Sequence, residues 1–319
     1  MHAYPLYPSK AQNMLEEIGT TIILGVLKKC WDYLKEHFSS KKQSAEVDSV
    51  ASRFIRLFEN HGVHSNQIPR FFGHGLSLVD VDDNEMLLVK LTPEILQSAS
   101  DLFAVRLEWL EGVEKQIYET HDFYKCPEAY AEFLAGLING RDYQISAKLM
   151  LSTDPYCQED ALLILEEPIG ENGNEQVMRY HLCSNWFSKY WKSRADLTAC
   201  IAMTAKQPVM MKGTKTSANI EKFCVGEEFI VGMDDLPHAF ERDWLFQKRF
   251  KIWYPDNWLF EPLDYLDGVN EGMFGKISAL ECWLYHYDKG NLQTRFPRES
   301  DRPAFAALLK EYQQTGSRV

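Results

Sequence analysis

A chain of 319 residues with 45% hydrophobic and 25% charged content is long enough for two domains and too apolar for a disordered chain. Its formal net charge of −12 repels phosphate backbones at long range, so nucleic-acid binding requires a local basic face or an oligomer that gathers one. Seven cysteines, an odd number with no CxxC pair, argue against a disulfide framework and for reduced thiols; with no leader pattern at the start and no apolar run of spanning length, a cytoplasmic protein without a transmembrane segment is expected.

Residues 11–38 read as one amphipathic helix, because Met14, Ile18, Ile22, Val26, Cys30, Leu34 and Phe38 recur at helical spacing. Such a stripe must be covered, by the rest of the chain, by the seam of a homodimer or by a membrane surface. The polar run SSKKQS at residues 39–44 reads as a linker.

Residues 47–113 read as a run of short helices. The first spans 47–60, with Val47, Val50, Phe54, Ile55 and Phe58 inward. Ser65 and Asn66 open a second, where Pro69 is tolerated in the first turn. A third covers 77–88. The fourth is the best defined: Thr92 is the N-cap, Pro93 takes the first helical position, Glu94 favours the positive helix end, and Ile95, Leu96, Ala99, Leu102 and Phe103 form the buried stripe. Ala104 and Val105 make a turn, and a last helix from Arg106 points Leu107, Trp109 and Leu110 inward.

After a bridge at 114–127 comes a helix at 128–138, stopped by Asn139-Gly140. Strands are expected at 143–151, 161–169 and 176–183, with a hairpin turn at Gly170-Glu171-Asn172-Gly173. A helix at 186–205, strands at 209–211 and 221–231, and helices at 276–287 and 303–312 complete the reading. The expected fold class is α+β: residues 1–44 form a helix and linker, 45–125 an all-α module, and 126–319 a mixed domain with an antiparallel sheet.

The order of short helices, the closing pattern Leu96, Ala99, Leu102, Val105 and the following Trp109-Leu110 pair resemble a Cro/repressor-type (XRE-like, lambda-repressor-like) helix-turn-helix domain. Gln67 stands where that family often places a glutamine at the start of its second helix. The resemblance implies a third helix lying in the major groove, with Gln67, Arg70 and Lys90 as the DNA-facing groups. The matching stretch departs from the pattern: it carries Asp80, Asp82, Asp83 and Glu85, with no basic residue before Lys90, and carboxylates oppose a phosphate-lined groove. Two functions follow from one module. One is a transcription regulator, binding DNA as a homo-oligomer, whose C-terminal domain senses a ligand or oligomerises. The other is an adaptor that uses the same helices for a protein partner. An enzyme of unknown type on the C-terminal domain is a third.

No GxSxG, HExxH, P-loop or post-strand GxGxxG occurs, so no catalytic set, cofactor or metal is assigned. Cys282 and His286 lie one helical turn apart, and His181 and Cys183 alternate on a strand; zinc would need both pairs to converge. The aromatic, acidic stretch 234–267 reads as core or as a pocket lining. Lys206, Lys212, Lys215 and Lys222 read as an exposed loop able to meet an anion.

Overall fold

The computed structural model describes residues 49–139, 144–230, 250–296 and 298–316. The amphipathic stretch 11–38 and the linker 39–44 lie outside the described residues. From Val50 onward they form one compact unit of α+β type.

Helix α1 (Val50–Asn60) buries Ala51, Phe54, Leu57 and Phe58. A 3-10 turn (Ser65–Gln67) leads into α2 (Ile68–Phe71), with Pro69 in the first turn as expected. The expected third helix is two helices, α3 (Leu78–Asp82) and α4 (Asn84–Lys90). Its acids explain the break. Ser77 and Asp80 form a reciprocal capping box at the start of α3. Asp83, extended at φ −129° and ψ 117°, ends α3 and caps α4 by accepting from the Glu85 and Met86 amides. Thr92 caps α5 (Pro93–Phe103), left-handed Ala104 at φ 53° ends it, and α6 (Leu107–Leu110) buries Trp109 and Leu110.

Six strands form one mixed sheet in the order β1-β4-β3-β2-β5-β6: β1 (Thr120–Asp122), β2 (Ser146–Ser152), β3 (Ala161–Asn172), β4 (Glu175–Trp186), β5 (Met210–Thr216) and β6 (Phe250–Trp253). The β2-β3-β4 meander and the β5/β6 pair are antiparallel; β1/β4 and β2/β5 run parallel. The parallel β2/β5 pair follows from its connection, since the chain leaves β4 through α8 (Trp191–Lys206) and crosses back over the sheet.

Strict alternation on β3 builds three layers. Leu163 and Leu165 face a core shared with α7 (Pro127–Ile138), α8, α10 (Asn257–Phe260), α11 (Pro262–Leu266), α12 (Gly272–Asp288) and α13 (Asp301–Gly316). Leu162 and Ile164 face a second core shared with α1 to α6.

Three local expectations change. Residues 221–230, the described part of the expected strand 221–231, are not a strand: α9 (Glu221–Cys224) is followed by Gly226 at φ +74°, whose carbonyl accepts from both Ile117 (2.7 Å) and Tyr118 (3.1 Å), so the chain turns back beneath the 114–118 bridge. Trp186 ends β4, and the helix waits until Trp191, where the Ser193 hydroxyl accepts from the Phe187 amide. The hairpin turn is Gly173-Asn174. Gly170 lies inside β3 for a different reason: a Cβ there would sit 2.9 Å from the Phe71 ring.

Candidate functional site

Gln67 and Arg70 are brought together, but by the protein itself. Arg70 donates to Asn172 Oδ1 at 3.1 Å, and the Asn172 amide donates to Gln67 Oε1 at 2.7 Å and to the Gly62 carbonyl at 3.0 Å. With the Phe71 ring seated on Gly170, this fastens α2 to the β3–β4 hairpin. Lys90 stands apart in the last turn of α4, exposed. Its charge supports the Asp80 carboxylate, which the Ser77 hydrogen bonds hold below the usual range.

The outward side of α3 and α4 is apolar. Leu78, Val79, Met86, Leu88 and Val89 are all exposed, Val89 at 83%, whereas Val81 and Leu87 point inward. Asp82, Asp83 and Glu85 lie exposed among them. A groove-reading helix carries polar and basic groups in such positions.

A cleft of about 480 Å³ opens where α5 and α6 meet the β1 edge, lined by Ser100, Arg106, Glu119, His121, Phe133 and His181. Beneath it Glu167 is fully buried. Its carboxylate accepts two hydrogen bonds from the Arg179 guanidinium, 2.5 and 2.7 Å, and lies 2.9 Å from His181 Nε2. This bidentate pairing is the strong form of the Arg–carboxylate contact and fixes the imidazole plane. The His121 ring packs at a tilt against Phe133, with centroids 4.5 Å apart. Burial holds its imidazole pKa below the usual value; Glu119 opposes that shift and His181 adds to it. The arrangement can orient an imidazole and move a proton. The nearby Ser100 hydroxyl is committed to the Val105 carbonyl at 2.6 Å.

The sequence reading missed Glu166 and Glu167. The signal was present: two acids directly after the apolar run 161–165 must point to opposite faces of a buried strand. Glu166 pairs with Lys148 at 2.6 Å on one face while Glu167 pairs with Arg179 on the other.

Cys282 and His286 share a pocket with Asp196, far along the chain from His181 and Cys183 on β4, and among the described residues no three His, Cys, Asp or Glu side chains are placed to hold a metal ion. Burial raises the thiol pKa of Cys157, Cys183, Cys200, Cys224 and Cys282. In the described part of 234–267, Trp258, Leu259, Tyr265 and Leu266 are buried in the core, whereas Ile252, Tyr254 and Leu263 are exposed. Lys212 and Lys215 lie on strand β5, not in a loop, and Lys215 pairs with Asp267 at 3.4 Å. Among the described residues no helix is long and apolar enough to cross a membrane. Compared with protein-family models, curated proteins and solved structures, the chain has no significant match.

Proposed function

We propose that this chain is a regulator or adaptor acting through a protein partner, which docks on the outward face of α3 and α4 of a scaffold similar to the Cro/repressor helix-turn-helix. The carrying observation is the character of that face: exposed Leu78, Val79, Met86, Leu88 and Val89, with Asp82, Asp83 and Glu85 among them. Removing such apolar area from water favours association, and the acids select a partner with a basic rim. A nucleic acid presents the wrong charge, and a second copy in a two-fold contact would set these acids against themselves. The engagement of Gln67 and Arg70 by Asn172 supports the same reading, since both groups already have partners. Assembly of a homodimer through residues 11–38 is a separate proposal, tested by sedimentation of the full chain.

The test uses the full chain, a labelled mixed-sequence duplex at low salt, and an amphipathic helical peptide with a leucine stripe and flanking lysines. The peptide is expected to bind saturably, about tenfold more weakly to Val79→Glu or Val89→Glu, and the duplex not to bind. Saturable duplex binding that falls on Arg70→Ala or Lys90→Ala would overturn the proposal in favour of the DNA-binding reading.

A further inference from the structure

Two thiols converge on one carbonyl oxygen. The Cys157 thiol donates to the Glu159 carbonyl at 3.0 Å, and the Cys224 thiol donates to the same oxygen at 3.4 Å. The two sulfurs are therefore no farther apart than these two distances laid end to end. Cys157 sits in the 153–160 loop between β2 and β3, and Cys224 ends α9. The two segments are already fastened to each other. Ser152 Oγ donates to the Ala218 carbonyl at 2.6 Å, the Thr153 amide to the Thr216 carbonyl at 2.7 Å, and the Gln158 amide to Glu221 Oε1 at 2.8 Å.

Both side chains belong to the core shared with α1 to α6, yet Cys157 lies just beneath the surface, between exposed Tyr156 and Gln158. A small oxidant reaches it by a local opening of this loop. Burial raises the pKa of both thiols. Glu221 and Asp160 add to the shift on each, and Glu159 adds to it on Cys224. The Ile220 amide and the Ser152 hydroxyl work the other way on Cys157, so Cys157 is the better placed of the two to react first. These surroundings disfavour the thiolate and slow its attack. They do not oppose a disulfide, which carries no charge.

We propose that Cys157 and Cys224 form a redox modification site, in which a hydroperoxide converts the reduced pair into an intramolecular disulfide. The Cys157 thiolate attacks the peroxide and the O–O bond breaks, leaving a sulfenic acid on Cys157 and releasing an alcohol, or water from hydrogen peroxide. The Cys224 sulfur then displaces the hydroxyl from that sulfenic sulfur, and the S–S bond forms with release of water. The two thiol protons leave in the two released molecules, and the two electrons lost by the sulfurs reduce the peroxide. Capture within one chain outruns further oxidation because the second sulfur is already at hand. The bond ties the 153–160 loop to α9, and the turn that follows α9 holds the 114–118 bridge through the Gly226 carbonyl. The site is independent of the reading of α3 and α4.

Hydrogen peroxide added to the reduced full chain tests this, with alkylation, digestion and mass-spectrometric mapping of the cysteines over time. The link between Cys157 and Cys224 is expected to dominate, with two of the seven thiols lost and both restored by a dithiol. Its formation should quicken about tenfold from pH 7 to pH 8, because the thiolate fraction grows in that proportion below a raised pKa. Cys157→Ser, which keeps a donor for the Glu159 carbonyl, should abolish the link and leave Cys224 a thiol. Links through another cysteine pair or between chains, Cys157 carried to a sulfinic acid while Cys224 stays reduced, a rate indifferent to pH, or no thiol lost would each overturn the proposal. The parent chain alone gives these readings if Cys157→Ser fails to fold.

Discussion

The side-chain amide of Asn172 donates to Gln67 Oε1 across 2.7 Å, tying the tip of the β3–β4 hairpin to the 3-10 turn that leads into α2. Asn172 uses both ends of its amide there, because its Oδ1 also accepts from Arg70. Asn172→Ala removes these bonds together with the one to the Gly62 carbonyl. The expected loss is about 1–2 kcal/mol, since the groups are only partly buried and water replaces part of the hydrogen bonding. Urea denaturation measures the loss, and hydrogen exchange should rise in residues 62–72 with little change on β2. An unchanged midpoint would mean that the hairpin and the helical module are held by packing alone.

The neighbouring apolar contact can be tested by size. A Cβ on Gly170 would lie 2.9 Å from Phe71 Cε2. Gly170→Val is expected to cost about 1–3 kcal/mol by overpacking. Phe71→Leu in the same chain should return part of that loss, giving a favourable interaction energy in the double-mutant cycle. Additive losses would show that the strain lies in the strand backbone.

His61 sets a pH dependence with a defined sign. It is 5% exposed among Phe103, Tyr118, Tyr180 and Phe229. Burial lowers its pKa to about 4, only partly offset by the hydrogen bond to the Leu57 carbonyl. The unfolded chain therefore binds a proton near pH 6.5 that the folded chain refuses until about pH 4. The contribution is complete above the unfolded pKa and falls away between these limits, on the order of 3 kcal/mol in all. Chemical denaturation of the parent and of His61→Gln across pH 7.5 to 4.5 isolates it. The variant should be less stable at neutral pH and lose less on acidification; parallel slopes would show that other groups carry the acid sensitivity.

What was legible in the sequence was what short-range chemistry dictates. Thr92 and Pro93 announce a helix start wherever they sit before an apolar period, and α5 begins there. The alternation of β2 and the apolar run of β3 likewise mark strands. Gly170 reads as a turn residue because a glycine looks the same from sequence whether it serves a turn or a close approach, and only the position of Phe71 separates the two. The acids of residues 80–85 read as one unfavourable charge cluster, yet Asp80 and Asp83 are caps with local partners. The cleft and the pocket were not legible, because His121 meets His181, and Asp196 meets His286, only through sheet pairing and helix packing between distant segments.

Arg194 offers the strongest test of how the helices are held on the far face of the sheet. It is 3% exposed and donates to the Ser188, Tyr265 and Asp267 carbonyls at 2.5, 2.6 and 2.7 Å. Its guanidinium also lies 4.4 Å from the centre of the Trp258 ring. Burial lowers its pKa to about 10, with Tyr265, Asp160 and Asp267 opposing, so it stays cationic at neutral pH. The fork shape matters because the acceptors come from separate segments, two of them bracketing the end of α11. Arg194→Met keeps much of the volume but leaves these carbonyls without donors, at an expected cost of about 3–5 kcal/mol. Arg194→Lys keeps the charge but loses the fork, and should fall between Met and the parent. Urea denaturation ranks the three, and hydrogen exchange should rise first around α10 and α11. If Lys matched the parent, charge alone would hold this corner, and the directed hydrogen bonds would contribute nothing measurable.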